Sequence, residues 1–146
     1  MKRLLWLAVL ALSACRDHVL EDGAYAFTPG EVLRDDCSLS SGAPIVTGGT
    51  LRTEGHLVAF SLTQPELRLV GTYLSSAEQM TLDGSLSNFQ AVLRGRECLL
   101  DAVTFHLETT TLSPTSFEGA MSISYEARQP DECVCRYWFK LTGQRQ

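Results

Sequence analysis

Residues 120–128 read AMSISYEAR, and this stretch decides the fold because apolar and polar side chains alternate strictly along it. In an extended chain Met121, Ile123 and Tyr125 share one face, and the intervening serines and glutamate share the other. Period-two alternation with β-branched and aromatic residues is typical of a strand that is buried on one side. The stretch therefore predicts a β-strand that needs a second apolar face to pack against.

The same alternation recurs from residue 23 to the C-terminus, while helical periodicity is nearly absent. The pattern gives about eight or nine short strands, spaced about 8–12 residues apart along the chain, and this spacing predicts an all-β domain. We expect a closed antiparallel up-and-down barrel of about eight strands, with a β-sandwich as the alternative. The other apolar faces comprise Tyr25 and Phe27; Val58, Phe60 and Leu62; Leu67, Leu69 and Tyr73; Met80 and Leu82; Phe89 and Leu93; Val103, Phe105 and Leu107; and Cys133, Cys135, Tyr137, Phe139 and Leu141.

Turn signals separate these runs. Acidic-glycine pairs predict hairpin turns at 53–56 (TEGH) and 82–85 (LDGS). The oxygen-rich run 83–88 (DGSLSN) has too few carboxylates for a calcium loop, so the turn is the favoured interpretation. Longer connections are predicted by glycines and prolines at Gly42, Pro44, Gly48, Gly49, Pro114 and Pro130.

The barrel pattern resembles that of small lipocalin-like domains. The resemblance rests on Gly23-x-Tyr25 in the first strand, on the meander order and on the late cysteines. Lipocalins carry Gly-x-Trp where this chain has Tyr25, and their later Thr-Asp-Tyr motif is absent from the sequence. The resemblance implies a closed barrel, and no binding residue of the family is transferred to this chain.

The N-terminus has the three parts of a secretory signal: basic Lys2 and Arg3, an apolar core at 4–12, and small residues before a cleavage point. The apolar core is shorter than the roughly 20 residues that span a bilayer. We therefore predict that residues 1–14 form a signal peptide. The motif around Cys15 favours cleavage of the lipoprotein type, and plain secretory cleavage is the alternative.

Leu12-Ser13-Ala14-Cys15 resembles the lipobox of bacterial lipoproteins. The resemblance implies that Cys15 receives a diacylglycerol, becomes the mature N-terminus and is acylated there, so that the partner is a membrane reached through a lipid anchor. Enterobacterial lipoproteins with Asp after this cysteine are kept at the inner membrane. Arg16 stands there instead, which favours the outer membrane.

The mature chain is long enough for one domain. We assign residues 15–22 to a lipidated tether and 23–146 to a single barrel. The net charge is −5, and loss of Lys2 and Arg3 with the signal leaves −7. An acidic domain is a poor partner for nucleic acid, which selects clustered lysine and arginine.

Four cysteines remain once Cys15 carries lipid: Cys37, Cys98, Cys133 and Cys135. An even number in an exported domain predicts two disulfides. Cys133 and Cys135 lie two apart in a strand-like run, where a bond between them would need poor geometry. One is expected to pair with Cys37 and the other with Cys98. Metal or redox sites are less favoured, because C-V-C lacks the spacing of thiolate zinc sites.

Few residues suggest chemistry. His18, His56 and His106 have no partner at a recognisable spacing and are interpreted as surface or turn residues. The paired acids at 35–36 and 131–132 point to opposite faces if extended, so they do not form an acid–base pair. No nucleophile elbow, zinc-protease or phosphate-loop motif is present. We predict no catalytic residue, no metal and no cofactor beyond the lipid; an enzyme would need a cleft, for instance around His56.

Three hypotheses follow, of which the enzyme is the least favoured. The first is an envelope protein with a structural or protein-interaction role, which predicts a solid core and an exposed apolar patch near Trp138. Trp138 is expected to face outward beside Arg136 and Lys140. The alternative is that the tether or a loop covers it. The second is a binder of a small apolar ligand inside the barrel, which predicts a cavity of roughly 300 Å3 or more. Its candidate lining is aromatic: Tyr25, Phe27, Phe60, Tyr73, Phe105, Tyr125 and Phe139.

Overall fold

The computed structural model describes residues 19–39, 46–74, 78–128 and 131–146. The predicted signal peptide, Cys15 and His18 lie outside the described residues, as do Gly42, Pro44 and Pro130. The elements are β1 (Gly23–Asp35), β2 (Gly48–Glu54), β3 (Leu57–Leu62), β4 (Leu67–Tyr73), β5 (Gln79–Leu93), β6 (Arg96–Ser113), β7 (Ser116–Glu126), a 3-10 turn (Asp131–Cys133) and β8 (Cys135–Arg145).

The eight strands form a closed antiparallel barrel in which each strand pairs with the next along the chain. The last strand closes the barrel by pairing with the first, from Tyr25 opposite Arg145 to Asp35 opposite Tyr137. The predicted up-and-down barrel is thereby confirmed in preference to the sandwich. Closure pairs every strand on both sides within the barrel wall, which is how such barrels avoid edge-to-edge association.

The alternation of side chains places the core where the sequence predicts it. In β7 the side chains of Met121, Ile123 and Tyr125 are buried, and β8 alternates without interruption from Cys135 to Gly143. The strands are longer than expected, since β5 has 15 residues and β6 has 18. They extend past their other neighbours as a two-stranded hairpin, because the β6–β7 pairing begins only at Ala102.

One predicted hairpin turn is confirmed and one is wrong. Gly55 and His56 connect β2 to β3, and Gly55 has φ 63°, as the first position of a type II′ turn requires. Residues 82–85 do not turn: they lie within β5, where Asp83 pairs with His106. Gly84 serves a close approach of β4 instead, since a Cβ there would lie 2.9 Å from the Arg68 carbonyl oxygen. The chain reverses at 94–95, where both residues have positive φ.

The remaining connections partly match the prediction. Pro114 lies in the β6–β7 turn as expected. Gly48 and Gly49 do not belong to a loop, because they begin β2. A Cβ on Gly48 would lie 2.3 Å from the Tyr25 carbonyl oxygen, so glycine is required here for the close approach of β1.

Both disulfides lie at the end of the barrel where β1 ends and β8 begins, which we call the disulfide end. Cys37 is bonded to Cys135 and Cys98 to Cys133, so each of the two neighbouring cysteines has its own partner, as expected. The tip of the β5–β6 hairpin folds against this end: the Arg94 amide donates to the Cys37 carbonyl oxygen at 3.0 Å. Leu93 and Leu100 are thereby buried.

The opposite end, the lead end, is covered by the residues that precede β1. Leu20 is 3% exposed, and its amide donates to the Tyr73 hydroxyl oxygen at 3.2 Å. The Glu21 amide donates to the Pro114 carbonyl oxygen at 2.7 Å, and the Thr53 amide donates to Asp22 Oδ1 at 2.9 Å. The described part of the predicted tether, residues 19–22, is therefore docked on the barrel.

Within the described residues, no helix is long and apolar enough to cross a membrane.

Candidate functional site

Three of the seven aromatic residues predicted to line a ligand cavity, Tyr25, Phe27 and Phe60, belong to one cluster of rings inside the barrel. Six of the seven are buried, and Tyr73 is half-buried. Phe60 is fully buried, with ring centroids 6.0 Å from Tyr25, 5.1 Å from Phe27 and 6.3 Å from Phe117. Phe117, which the sequence reasoning did not single out, completes this cluster. The rings occupy the lead-end half of the interior.

Burial keeps the tyrosine hydroxyls in this interior protonated. It raises the pKa of Tyr25 to about 12, and the Tyr25 hydroxyl donates to the Glu21 carbonyl oxygen at 2.8 Å. Burial likewise raises the pKa of Tyr125 to about 12. These groups are therefore protonated hydrogen-bond donors at physiological pH.

One concavity lies on the outer wall and has a volume of about 790 Å3. We call it the wall groove. It follows a row of paired residues that crosses five strands from Met80 through Thr109, Gly119 and Leu141 to Pro29. A Cβ on Gly119 would lie 2.2 Å from the Glu108 carbonyl oxygen, so glycine lets β6 and β7 approach closely at the middle of the groove.

Half of the residues that line the wall groove have polar side chains that face outward. Its outward hydroxyls belong to Thr28, Thr81, Thr110 and Thr142, and its exposed apolar side chains are Pro29, Leu33 and Leu74. Thr109, which also lines it, is 4% exposed, and its Oγ1 has no hydrogen-bond partner among the described residues. None of the seven predicted lining aromatics contributes to this groove.

Charge in the wall groove is mainly negative. Its lining includes the carboxylates of Glu31, Glu108 and Glu118 and a single ammonium, that of Lys140. Lys140 Nζ donates to Glu31 Oε2 at 2.6 Å, and this hydrogen bond and the lysine charge lower the pKa of Glu31. Both side chains are more than half exposed, so the pair adds little stability.

A histidine beside the groove holds two carboxylates. Asp83, His106 and Ser122 are paired in one row across β5, β6 and β7. His106 Nδ1 lies 2.6 Å from Asp83 Oδ1, and its Nε2 lies 3.2 Å from Glu108 Oε1. Because both ring nitrogens bond to carboxylates, neither is left to activate the Ser122 hydroxyl. This geometry fits an exposed ion-pair cluster better than a nucleophilic triad.

His106 gives a test of this cluster by pH. Burial lowers the pKa of His106, but the hydrogen bonds that its ring donates to Asp83 and Glu108, together with their negative charges, outweigh burial, so the pKa of His106 is raised. A folded-state pKa above the unfolded value means that the stabilisation is complete below the unfolded pKa and is lost as the pH rises through the folded pKa. The imidazole is 37% exposed, so we expect a few tenths of a kcal/mol.

The measurement is urea unfolding of the wild type and His106→Gln at about pH 5.5 and about pH 9. We expect the difference in the free energy of unfolding to be larger at the lower pH. Asp83→Asn should also lower the pKa of His106 in an NMR titration. An unchanged pKa in that variant would contradict the contact between the two side chains.

A second, smaller concavity of about 350 Å3 lies at the disulfide end. Tyr125 is the one predicted lining residue that contributes to it, beside Cys135 and Val134. Its rim is charged, with Arg34 and Arg136 among the lining residues. The interior lining proposed for the other six aromatics stays a prediction.

Trp138 faces outward on β8, as predicted, and is 42% exposed. Its cross-strand neighbours are Ser122 and Arg34, both polar. His56 is exposed in the β2–β3 turn and lines neither concavity. Among the residues that the structure describes, no three or more His, Cys, Asp or Glu side chains are placed to hold a metal ion.

Sequence reasoning missed the wall groove and the His106 cluster. The spacing of His106 and Glu108, two apart on one strand face, was a usable signal. Asp83 could not be found, because residues 82–85 were predicted to form a turn. A scan of protein-family models, a search of curated proteins and a search of solved structures each found no match to this chain.

Proposed function

We propose that the protein is a non-enzymatic bacterial envelope lipoprotein, anchored through Cys15, whose barrel provides a protein-interaction surface. The lipobox at 12–15 supports the anchor, and Arg16 favours the outer membrane. Two disulfides are in keeping with an oxidising compartment such as the periplasm or the cell surface.

The wall groove is the observation that carries the interaction role. In small eight-stranded barrels side chains fill the interior, and the rings around Phe60 pack in the lead-end half of it here. This packing favours a partner that binds outside the core. The wall groove is about 790 Å3 in volume and offers hydroxyls, carboxylates and exposed leucines on one surface, which is the mixed character of non-obligate protein interfaces.

A binder of a small ligand is the second candidate. The concavity of about 350 Å3 beside Tyr125 favours it, since that volume falls in the range of small-molecule sites. In this case the ligand would enter at the disulfide end, between charged residues.

A native mass spectrum of the mature protein, extracted gently with detergent from its own envelope, tests these proposals. We expect acyl chains on Cys15 in the covalent mass and a second protein retained without a covalent bond. A reproducible adduct of a few hundred daltons would instead establish the ligand binder. A covalent mass without acyl chains would refute the anchor.

Groove variants then locate the surface. We expect Ala120→Arg, which places a long side chain in the wall groove, to raise the Kd for the partner by about tenfold, the effect of roughly 1.4 kcal/mol in binding, and so to lower the fraction of protein that retains it. Ser61→Arg on β3 is the control, because it is exposed on the opposite side of the barrel. Equal retention by the two variants would exclude the wall groove as the interface.

A further inference from the structure

The lead end carries exposed aliphatic side chains on several of its connections. Leu57 follows the β2–β3 turn and is 57% exposed, Leu74 follows β4 and is 47% exposed, and Leu112 precedes the β6–β7 turn and is 55% exposed. Val19, before β1, is 41% exposed. We call these four residues the lead rim.

The lead rim lies level with the residues that precede β1. Each leucine is within four residues of a group that bonds to the lead: Thr53 to Asp22, Tyr73 to Leu20, and Pro114 to Glu21. These hydrogen bonds measure 2.9, 3.2 and 2.7 Å. The rim and the point where the chain leaves toward Cys15 are therefore at the same end of the barrel.

We propose that the lead rim inserts into the surface of a phospholipid bilayer, so that the barrel stands on the membrane at its lead end. This inference rests on the proposed lipidation of Cys15. The bilayer is the occupant because of the chain length: five residue steps separate Cys15 from the docked Leu20, which allows at most about 18 Å. Exposed aliphatic side chains held that close to the acyl chains bury their surface in the lipid interface.

The opposite orientation is out of reach. The 11 residues of β8 cover the wall from the disulfide end to the lead end, which at about 3.3 Å per residue and a tilt of about 40° gives a height of roughly 25 Å. A connection of about 18 Å from a docked Leu20 cannot bring the disulfide end to the membrane. The hairpin at that end, with Val92 and Leu99 also exposed, is directed away from the lipid.

Charge selects the kind of lipid. Asp22, Glu54 and Glu78 are exposed at the lead end beside Arg52, while Arg145 there is paired with Glu21. The carboxylates are in excess, and they are repelled by an anionic surface. The lead rim therefore fits a zwitterionic phospholipid surface.

Depth-dependent quenching tests the proposal in the full lipidated chain. Signal-peptide cleavage removes Trp6, and Trp138→Phe removes the other natural tryptophan. A single tryptophan is then introduced by Leu112→Trp. The control is Leu99→Trp at the disulfide end, since Leu99 is 66% exposed and its substitution opens no cavity. Both proteins are reconstituted in phosphatidylcholine vesicles with bromine on the acyl chains. We expect at least about twofold stronger quenching, and a blue shift, for Leu112→Trp only.

Equal emission from the two variants would overturn the proposal, as would stronger quenching of Leu99→Trp. Leu57→Trp repeats the test if Leu112→Trp fails to fold. The covalent mass separates this inference from the proposed function: a protein without acyl chains refutes the anchor. The Leu112→Trp variant without acyl chains is then added to the same vesicles. Quenching of its emission would still support insertion of the lead rim, and the absence of quenching would overturn it.

Discussion

Replacing Cys37 and Cys135 by alanine together is expected to lower the free energy of unfolding by about 4 kcal/mol. The bridge joins residues 98 apart in sequence, and the chain entropy that such a cross-link removes from the unfolded state grows with loop length. The other bridge shortens the effective loop, which keeps the expected loss near 4 rather than 5 kcal/mol. Urea unfolding of the mature protein, with the second disulfide intact, measures it.

The position of this bridge adds a local prediction. Cys37 follows β1 and Cys135 begins β8, so the disulfide holds the two strands that close the barrel. Hydrogen exchange should therefore speed up along β1 and β8 in the variant. The matched control, Cys98→Ala with Cys133→Ala, should instead speed up exchange in the β5–β6 hairpin. A loss below about 1 kcal/mol, or the same exchange pattern in both variants, would contradict this account.

The alternation of apolar and polar side chains was enough to predict the barrel. It was not enough to predict which residues of neighbouring strands lie opposite one another. AMSISYEAR fixes which side chains of β7 are buried, because the two faces of a strand follow from the sequence of that strand alone. The wall groove depends on which residues of five strands align, and that register is set by contacts far apart in sequence. A strand does not carry that information by itself.

Residues 82–85 illustrate the limit. Asp83-Gly84 is a strong local turn signal, yet β5 continues through it, because fourteen of its residues pair with β6 and this pairing outweighs the local preference. A glycine in the sequence is ambiguous, because it allows positive φ in a turn and also allows the close approach of a neighbouring strand. The error also hid the contact of Asp83 with His106.

Phe60→Ala is expected to lower the free energy of unfolding by about 3–5 kcal/mol, the usual cost of deleting a buried phenylalanine ring. Phe60 is fully buried and contacts the rings of Tyr25, Phe27 and Phe117. Its removal therefore forfeits apolar burial and leaves a cavity that the surrounding rings fill only in part. Urea unfolding measures the loss. Trp138→Ala on the outer wall is the control, and it should cost less than about 1 kcal/mol.

The size of this effect separates a packed barrel from a hollow one. If the rings around Phe60 lined a hydrated ligand cavity, truncation would widen a space that already exists, and the loss would approach that of Trp138→Ala. If they form the core, the new cavity is apolar, stays dry and binds xenon or benzene, and such binding restores part of the lost stability. A large loss in the free energy of unfolding that xenon partly reverses therefore supports a partner on the outer wall. A loss below about 1 kcal/mol would instead favour a ligand bound inside the barrel.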